Sequence, residues 1–294
     1  MEVKKKNILF IVNPISGTGK QRYIQEKVNQ LLSKDIFNVS FRFTERAGHA
    51  VEIAGEASVS GVDIVVAVGG DGSVNEVAKG LLGSRTAMAI IPTGSGNGLA
   101  RHLGIPCNVD KALLLLNDSR EFCIDTCTIS GHFFVGAAGL GFDALIAHEF
   151  AKLKRRGFVS YIKVFLKKYY SYSPKTISLK NHDENTGSES FVFSFLNSSQ
   201  YGNGTVISPD SVIDDGHFEV VSIKKIPFYI LPFYAYKLFA GTLKNDKYFR
   251  SWRVKNISVK TEGAIAHIDG EPISLPNEFE VTIQPKSLWV VVAK

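Results

Sequence analysis

Three glycine-rich segments of this 294-residue chain have the composition of turns that hold phosphate groups. They are Asn13–Gly17, Gly69–Asn75 and Pro92–Asn97, and each follows a largely apolar run. Glycine lets a backbone N–H approach a ligand with no side chain in the way. A helix that starts after such a turn points free N–H groups and its positive dipole end at an anion. One such turn is weak evidence, but three of them predict a triphosphate site. The residues predicted to surround it are Asn13, Pro14, Ile15, Ser16, Gly17, Gly69, Gly70, Asp71, Gly72, Ser73, Val74, Asn75, Gly94, Ser95, Gly96 and Asn97.

Asp71 lies inside the second of these turns. A carboxylate among phosphate-binding amides would repel a bare phosphate, but it is suited to a Mg²⁺ ion held between the two. Alternatively, Asp71 caps the N-terminus of a helix predicted over Ser73–Leu82. The two roles are compatible, and the sequence leaves both open.

Two better-known nucleotide motifs do not match. Gly19-Lys20 looks like the end of a Walker A loop, but Pro14 stands where that motif needs glycine and Gln21 where it needs serine or threonine. The glycines that begin at Gly94 fit a dinucleotide fingerprint only loosely, since the third comes one residue early and the motif follows the fourth strand.

Strand and helix patterns alternate through the first part of the chain, which predicts a mainly parallel sheet. The predicted strands are 7–12, 38–44, 62–68 and 86–91, and the predicted helices are 20–33, 47–58, 73–82 and 96–103. The carboxyl ends of parallel strands share one edge of a sheet, so the three turns are expected to face one crevice.

After about residue 120 short strand patterns dominate, which indicates a β-sandwich or a related antiparallel fold. The predicted strands are 124–129, 132–137, 176–179, 191–196, 218–223, 254–261, 265–269 and 279–285, with helical insertions over 144–172 and 227–242. We therefore predict an α/β nucleotide-binding domain over 1–128 and a β-sandwich domain over 129–286. The final strand, 287–294, is expected to return to the first domain.

The composition limits the function classes. The net charge of +6 and the pI near 9.0 favour anionic partners, but no nucleic-acid motif is present, so no nucleic acid is expected. Three cysteines argue against a disulfide framework, and without further ligands they do not predict a zinc site. No apolar run reaches the roughly 18–20 residues of a membrane span. We predict a cytoplasmic protein that associates peripherally with membranes.

At these residues the sequence resembles the diacylglycerol kinase catalytic family, which includes sphingosine kinases, ceramide kinases and bacterial lipid kinases. The resemblance covers almost the whole chain and is carried by six segments in order. They are Asn13–Gly17, Val68–Glu76, Pro92–Gly104, Gly139–Asp143, Pro209–Gly216 and Asp269–Glu271. It implies an N-terminal domain like that of phosphofructokinase and NAD kinase, a C-terminal β-sandwich, ATP and Mg²⁺ as cofactors, and a further ATP contact at Thr44.

The resemblance also implies roles for individual residues. A general base is expected near Asp269 and Glu271, and Asp71 and Asp125 are expected to organise the catalytic metal. Asp215 resembles the ligand of a structural Mg²⁺, with the carbonyl groups of Val212 and His217 beside it. From the residues alone, a carboxylate at Asp269 or Glu271 suits proton removal from an alcohol, but this segment also reads as a plain hairpin turn.

One departure from the family pattern concerns the acceptor. Many bacterial diacylglycerol kinases have aspartate after the third turn, where this chain has Gly98, and sphingosine kinases carry a small residue there. The leading interpretation is an ATP-dependent lipid kinase acting on diacylglycerol. A sphingoid-base or ceramide-type kinase is the main alternative, and an NAD kinase and a non-catalytic lipid-binding regulator are the others.

Two segments suggest contact with lipid. Basic and aromatic residues interleave over 152–172, which suits an anionic bilayer surface, although a solvated helix with inward aromatics gives the same pattern. The aromatic segment 227–239 could line an acyl-chain cleft or belong to the core. The sequence leaves a homodimer open.

Overall fold

The computed structural model describes residues 5–14, 23–152, 158–180, 188–263 and 265–294. The chain divides into two units. Unit 1 consists of Met1–Asp125, Gly202–Gly204 and Pro285–Lys294. Unit 2 consists of Thr126–Tyr201 and Thr205–Gln284.

Strands and helices alternate in unit 1. They are β1 (Lys6–Val12), α1 (Ile24–Leu31), β2 (Phe37–Phe43), α2 (His49–Val59), β3 (Ile64–Gly69), α3 (Asp71–Leu81), β4 (Ala87–Pro92), α4 (Gly98–His102), α5 (Val109–Asn117) and the start of β5 (Ser119–Ile129).

Unit 2 is mostly short strands. Its elements are β6 (His132–Phe134), β7 (Ala137–Gly141), α6 (Phe142–Ala151), α7 (Phe158–Tyr169), β8 (Lys175–Lys180), β9 (Ser188–Ser190), β10 (Val192–Leu196), β11 (Gln200–Gly202), β12 (Thr205–Val206), β13 (Phe218–Ile223), α8 (Leu231–Ala240), β14 (Phe249–Val254), β15 (Asn256–Thr261), β16 (Ile265–Ile268), β17 (Glu271–Ser274) and β18 (Glu278–Ala293). Strands β5, β11 and β18 are each divided between the two units.

The sheet of unit 1 has the order β2-β1-β3-β4, and all of these neighbours are parallel. The C-terminal part of β18 continues the sheet, because Val290 pairs in parallel with Met88 of β4. Every residue of β3 and β4 is buried, as expected for strands in the middle of a parallel sheet. The predicted α/β domain with a mainly parallel sheet is confirmed.

Helix α5 is absent from the sequence-based prediction. Its segment contains four consecutive leucines, which obscures the helical period. A local signal was nevertheless present, since Asn108 caps the helix by accepting a hydrogen bond from the Lys111 N–H at 3.0 Å.

Unit 2 is the predicted β-sandwich. One antiparallel sheet has the order β14-β13-β10-β7-β16-β17. Strands β8, β9, β15 and the N-terminal part of β18 form antiparallel pairs in the other, as do β5 and β6. Buried side chains from both sheets, such as Phe195, Phe218 and Phe279, share one core.

Two predicted elements differ in detail. The predicted insertion over 144–172 contains two helices, α6 and α7, and the predicted strand 254–261 is divided between β14 and β15. The sequence shows no strong break at Lys255, so periodicity alone could not separate those strands. Within the described ranges, no helix has the length and apolar composition that a membrane crossing requires.

Candidate active site

The described parts of the three turns come together at the carboxyl edge of the unit 1 sheet. The Asn13 N–H donates to the Val68 carbonyl at 3.3 Å, and the Asn13 side chain donates to Ser73 Oγ at 3.3 Å. The Thr93 N–H donates to the Gly69 carbonyl at 2.9 Å. Thr44 follows β2 at the same edge, and its N–H donates to the Val12 carbonyl at 3.0 Å. Ile15, Ser16 and Gly17 lie outside the described residues.

The second and third turns touch through glycine backbone. A Cβ atom on Gly94 would lie 2.5 Å from the Gly70 Cα, closer than real Cβ contacts. Since the obstacle is backbone, no side-chain rotation could relieve it. The close approach of these two turns therefore requires glycine at position 94.

Asp71 is the first residue of α3 and joins the second turn to the third. Its carboxylate accepts hydrogen bonds from the N–H groups of Asn97 at 2.9 Å and Gly98 at 2.7 Å. A Cβ atom on Gly96 would lie 2.5 Å from the same carboxylate. Asp71 is not the N-cap residue of α3 that the alternative interpretation predicted, because Gly70 takes that position and Asp71 begins the helix.

This arrangement corrects one part of the predicted phosphate site. The first N–H groups of α4 were expected to face a phosphate, but Asp71 accepts the Gly98 N–H. The Asn97 side chain is also used within its own turn, where Oδ1 accepts the Gly94 N–H at 3.1 Å and Nδ2 donates to the Gly94 carbonyl at 2.8 Å. The start of α3, with Gly72 and Ser73, is therefore the better anion site of the two.

Glu76 has a role that the sequence did not indicate. Its carboxylate accepts the N–H groups of Gly48 at 2.9 Å and Ala50 at 3.2 Å, at the N-terminus of α2. It thereby supplies acceptors to a helix whose own N-cap residue makes no side-chain bond. The partner residues are distant in sequence, so no local pattern could have shown this.

In unit 2, Asp269 lies in the turn that joins β16 to β17, and Glu271 is the first residue of β17. Asp269 has a φ of 47°, and its carboxylate accepts the N–H groups of Val135, Gly136 and Ala137 at 3.1, 3.0 and 2.8 Å. Glu271 is exposed. The segment is a hairpin turn, as the alternative interpretation held, but it also fixes one carboxylate firmly in place.

A buried polar cluster supports the strand that carries Asp269. Asp143 Oδ2 lies 2.5 Å from the Tyr201 hydroxyl, 3.1 Å from Ser194 Oγ and 3.1 Å from His267 Nε2. His267 belongs to β16, the strand that leads into the turn containing Asp269. Burial, with a smaller effect of the Asp143 charge, raises the pKa of Tyr172 to about 12. Of this cluster the sequence pointed only to Gly139–Asp143.

The predicted metal ligands do not form one cluster. Across the described residues, no three side chains of the types His, Cys, Asp and Glu come together as a metal site. Asp125 is fully buried and accepts the Lys286 N–H at 2.7 Å. Asp71 remains suited to Mg²⁺ in one respect: Mg²⁺ commonly uses one or two carboxylates together with phosphate oxygens and water.

The Asp215 site does not fit a divalent cation. Its carboxylate is bonded to the guanidinium group of Arg253, and it also accepts the His217 N–H at 3.0 Å. The same guanidinium group lies 3.3 Å from the carboxylate of buried Glu219. A positive charge that belongs to the chain thus already pairs with the Asp215 carboxylate, and we derive no role for a metal at Asp215, Val212 and His217.

We predict that Arg253, and not Mg²⁺, stabilises this region. Without nucleotide, the wild-type melting temperature should be the same in EDTA and in excess MgCl₂. Arg253→Met should lower the unfolding free energy by about 1–2 kcal/mol, less than the ~3–5 kcal/mol of a fully buried pair, because half of the arginine is solvated. A wild-type melting temperature that rises with MgCl₂, and no longer does so in Asp215→Asn, would contradict this assignment.

The stability loss in Arg253→Met should depend on pH. Burial raises the pKa of Glu219, and Arg253 opposes that rise. Without Arg253 the pKa of Glu219 should rise further, so stability falls as the pH increases through that range and the carboxylate becomes charged. The loss should therefore be larger at neutral pH than in mild acid, as measured by chemical denaturation across pH.

Comparisons with known proteins cover both units. Residues 7–129 match the family model of the diacylglycerol kinase catalytic domain, and residues 136–292 match that of the YegS C-terminal NAD kinase beta sandwich-like domain. The "Diacylglycerol kinase" of Bacillus subtilis (strain 168) is 30% identical over 284 residues, covering 93% of each chain. The "Probable lipid kinase YegS-like" of Chromohalobacter salexigens is 29% identical over 262 residues, covering 85% of this chain and 83% of its own.

The fold is also similar to a solved structure. The crystal structure of a diacylglycerol kinase from Bacillus anthracis str. Sterne superposes with a TM-score of 0.73 at 21% identity, covering 98% of this chain and 97% of that chain. At this identity the likeness concerns the fold.

Proposed function

This chain belongs to the diacylglycerol kinase catalytic-domain family and is a lipid kinase, and from that premise we propose that it transfers the γ-phosphate of ATP to a hydroxyl of a membrane lipid. We propose diacylglycerol first, because the Bacillus subtilis diacylglycerol kinase is 30% identical over almost the whole chain. The observation that carries the proposal is the meeting of the glycine-rich turns at one sheet edge, with Asp71 among them.

The nucleotide is assigned to unit 1. The start of α3 offers backbone N–H groups to the phosphates, and Asn13, Thr44 and Ser95 offer polar groups at the same edge. When bound with ATP, Mg²⁺ would neutralise charge that develops on the transferred phosphoryl group, and Asp71 is the residue that would hold it. Asp125, being fully buried, would support the region and not contact the ion.

We assign to Asp269 the role of taking the proton from the acceptor hydroxyl. As the lipid oxygen forms its bond to the γ-phosphorus and the bond to the ADP oxygen breaks, the proton passes to the carboxylate. Three backbone N–H groups fix the position of this carboxylate, which favours a residue that must meet one particular hydroxyl. Glu271 is the alternative base.

Unit 2 contains a small, mostly apolar pocket lined by Leu140, Leu145, Tyr172, Ile177 and Ile265, among others. Its volume of about 50 Å³ is well below the roughly 300–1,000 Å³ of small-molecule sites, so we assign no acyl chain to it. The acyl-chain cleft predicted over 227–239 is not supported, since the aromatic side chains there are largely exposed.

We further propose that the protein is cytoplasmic and attaches peripherally to membranes, and that α7 brings it to an anionic membrane surface. The aromatic side chains of segment 152–172 are divided between buried and exposed positions. Tyr169 is buried and Phe165 packs beside it, whereas Tyr170 is 68% exposed. Lys163 and Lys167 are also exposed. Lys154, Arg155 and Arg156 lie outside the described residues.

A sphingoid-base or ceramide-type acceptor is the second candidate, and Gly98 favours it. This position lacks the carboxylate that many bacterial diacylglycerol kinases carry there. Its N–H donates to Asp71 at 2.7 Å, so the position contributes a backbone bond to the turn and no side-chain charge.

One assay tests the function. The purified protein is incubated with radiolabelled ATP, MgCl₂ and a panel of diacylglycerols, monoacylglycerols, sphingoid bases, ceramides and NAD, and products are identified by mass spectrometry. We expect phosphorylated diacylglycerol. A sphingoid-base or ceramide product would instead favour the second candidate, and a phosphorylated NAD product would overturn the lipid kinase proposal. Binding of ATP and lipid without any product would indicate a regulator.

A further inference from the structure

Five aromatic side chains project from one side of unit 2. They belong to α8 and to the short 3-10 helix Phe228–Ile230 that precedes it. We call them the aromatic face: Phe228, Tyr229, Phe233, Tyr236 and Phe239, which are 48%, 82%, 55%, 70% and 48% exposed. Contiguous apolar exposure of this kind marks a surface that another apolar phase covers.

The orientation of α8 is fixed, so the aromatic face is not an accident of helix rotation. On the inner side, Tyr234 donates from its hydroxyl to Asp246 at 2.6 Å. Tyr234 and Leu238 pack on the buried cluster that includes Val221 and Phe249. Rotating the helix to bury the aromatic face would break these contacts and expose Leu238.

The charged residue of α8 lies off the aromatic face. Lys237 is only 24% exposed, and its amino group lies 3.8 Å from the Asp246 carboxylate and over the Phe233 ring. The remaining outward positions, Pro232, Ala235 and Ala240, are apolar as well. Apart from the Lys237 amino group over the Phe233 ring, the aromatic face therefore presents ring edges and two tyrosine hydroxyls.

The aromatic face continues onto α7. The rings of Tyr170 and Phe228 lie 5.5 Å apart. On the exposed side of α7, Ile162, Leu166 and Tyr170 follow one another at helical spacing, and the exposed Lys163 and Lys167 lie beside them. The carboxylates that contact these helices are paired with lysines. Glu149 pairs with Lys152 and Lys168, and Asp246 lies near Lys237.

We propose that the aromatic face enters the interfacial layer of an anionic bilayer while Lys163 and Lys167 contact its headgroups. Tyrosine and other aromatic rings with apolar bodies are enriched at the depth where headgroups meet acyl chains. Lysines beside them match anionic lipid. A second copy of this chain fits less well, because a two-fold interface would bury Lys163 and Lys167 of both copies beside carboxylates that are already paired with other lysines. The inference rests on the proposed lipid acceptor for its purpose, but its test needs no catalysis.

The test measures binding to vesicles without ATP. Wild-type protein should sediment with phosphatidylglycerol-containing vesicles, and Phe233→Gln/Tyr236→Gln/Phe239→Gln should lower the partition coefficient about tenfold or more. Glutamine keeps the helix propensity. Lys163→Gln/Lys167→Gln should lower the partition coefficient about 25-fold on the same vesicles, at roughly fivefold per lysine. The same variant should show little change on phosphatidylcholine vesicles.

The matched control is Tyr23→Gln/Val59→Gln/Leu114→Gln, which removes three apolar side chains that are 63%, 86% and 50% exposed in unit 1. It should bind vesicles as the wild type does. Equal binding by the triple aromatic variant would overturn the proposal. So would a lipid-free dimer, seen by analytical ultracentrifugation, that only the aromatic variant abolishes.

The lipid panel separates this proposal from the proposed function. With detergent-dispersed diacylglycerol, the triple aromatic variant should phosphorylate as the wild type does. Loss of vesicle binding with retained activity in detergent would support the membrane-binding role of the aromatic face. A wild type that binds vesicles but phosphorylates no lipid would leave that role intact and refute the lipid kinase function.

Discussion

Asp71→Ala is expected to lower kcat/KM for lipid phosphorylation about a thousandfold while the protein remains folded. Two losses combine. The carboxylate that would hold Mg²⁺ beside the phosphates is removed, and the N–H groups of Asn97 and Gly98 lose their acceptor, so the third turn is no longer tied to the second. Steady-state assays with radiolabelled ATP measure the effect.

A stability cost should accompany this kinetic loss. Hydrogen bonds to a charged acceptor contribute about 1.5–3 kcal/mol each and two are lost, so urea denaturation should show a decrease of about 3–6 kcal/mol at most. The matched control is Asp63→Ala, which removes a carboxylate that accepts the Asn7 N–H at 2.7 Å before β3, at the opposite sheet edge. It should lose stability but keep its activity. Near-normal turnover in Asp71→Ala would remove Asp71 from the mechanism.

Asp269→Asn is expected to reduce kcat by about 10³-fold with little change in KM for ATP, in keeping with the loss of a general base. The ascending acid limb of the kcat–pH profile should also disappear. The exposed Glu271 serves as the comparison, and Glu271→Gln should change kcat by less than about tenfold.

The kinetic profile is needed because Asp269 also has a structural role. In Asp269→Asn one acceptor oxygen becomes an NH₂ group that faces the N–H groups of Val135 to Ala137. A purely structural residue would lose stability and leave the pH profile unchanged. If Glu271→Gln removes the acid limb and Asp269→Asn does not, the base is Glu271.

The sequence predicted that the glycine-rich turns meet at one sheet edge, because strand–helix alternation determines where parallel strands end. It did not predict how the side chains at that edge are used. Asp71 bonds to residues 26 and 27 positions away, and Glu76 bonds to the start of a different helix. Such partners depend on how close two turns approach, which hydrophobic periodicity does not report.

The other differences have equally specific causes. Arg253 contacts Asp215 across 38 residues, and a single arginine in a strand gives no sign of which carboxylate it meets. The aromatic residues of 227–239 looked like core or cleft because an apolar pattern is the same for a helix that faces protein and one that faces lipid.

A guanidinium group that is part of the chain cannot be diluted away, and no competing ligand in the cell can withdraw it. The positive charge beside Asp215 is therefore always present, whatever the concentration of ions in solution. Folding of unit 2 should then be insensitive to the concentration of free divalent ions, as the prediction for Arg253 states.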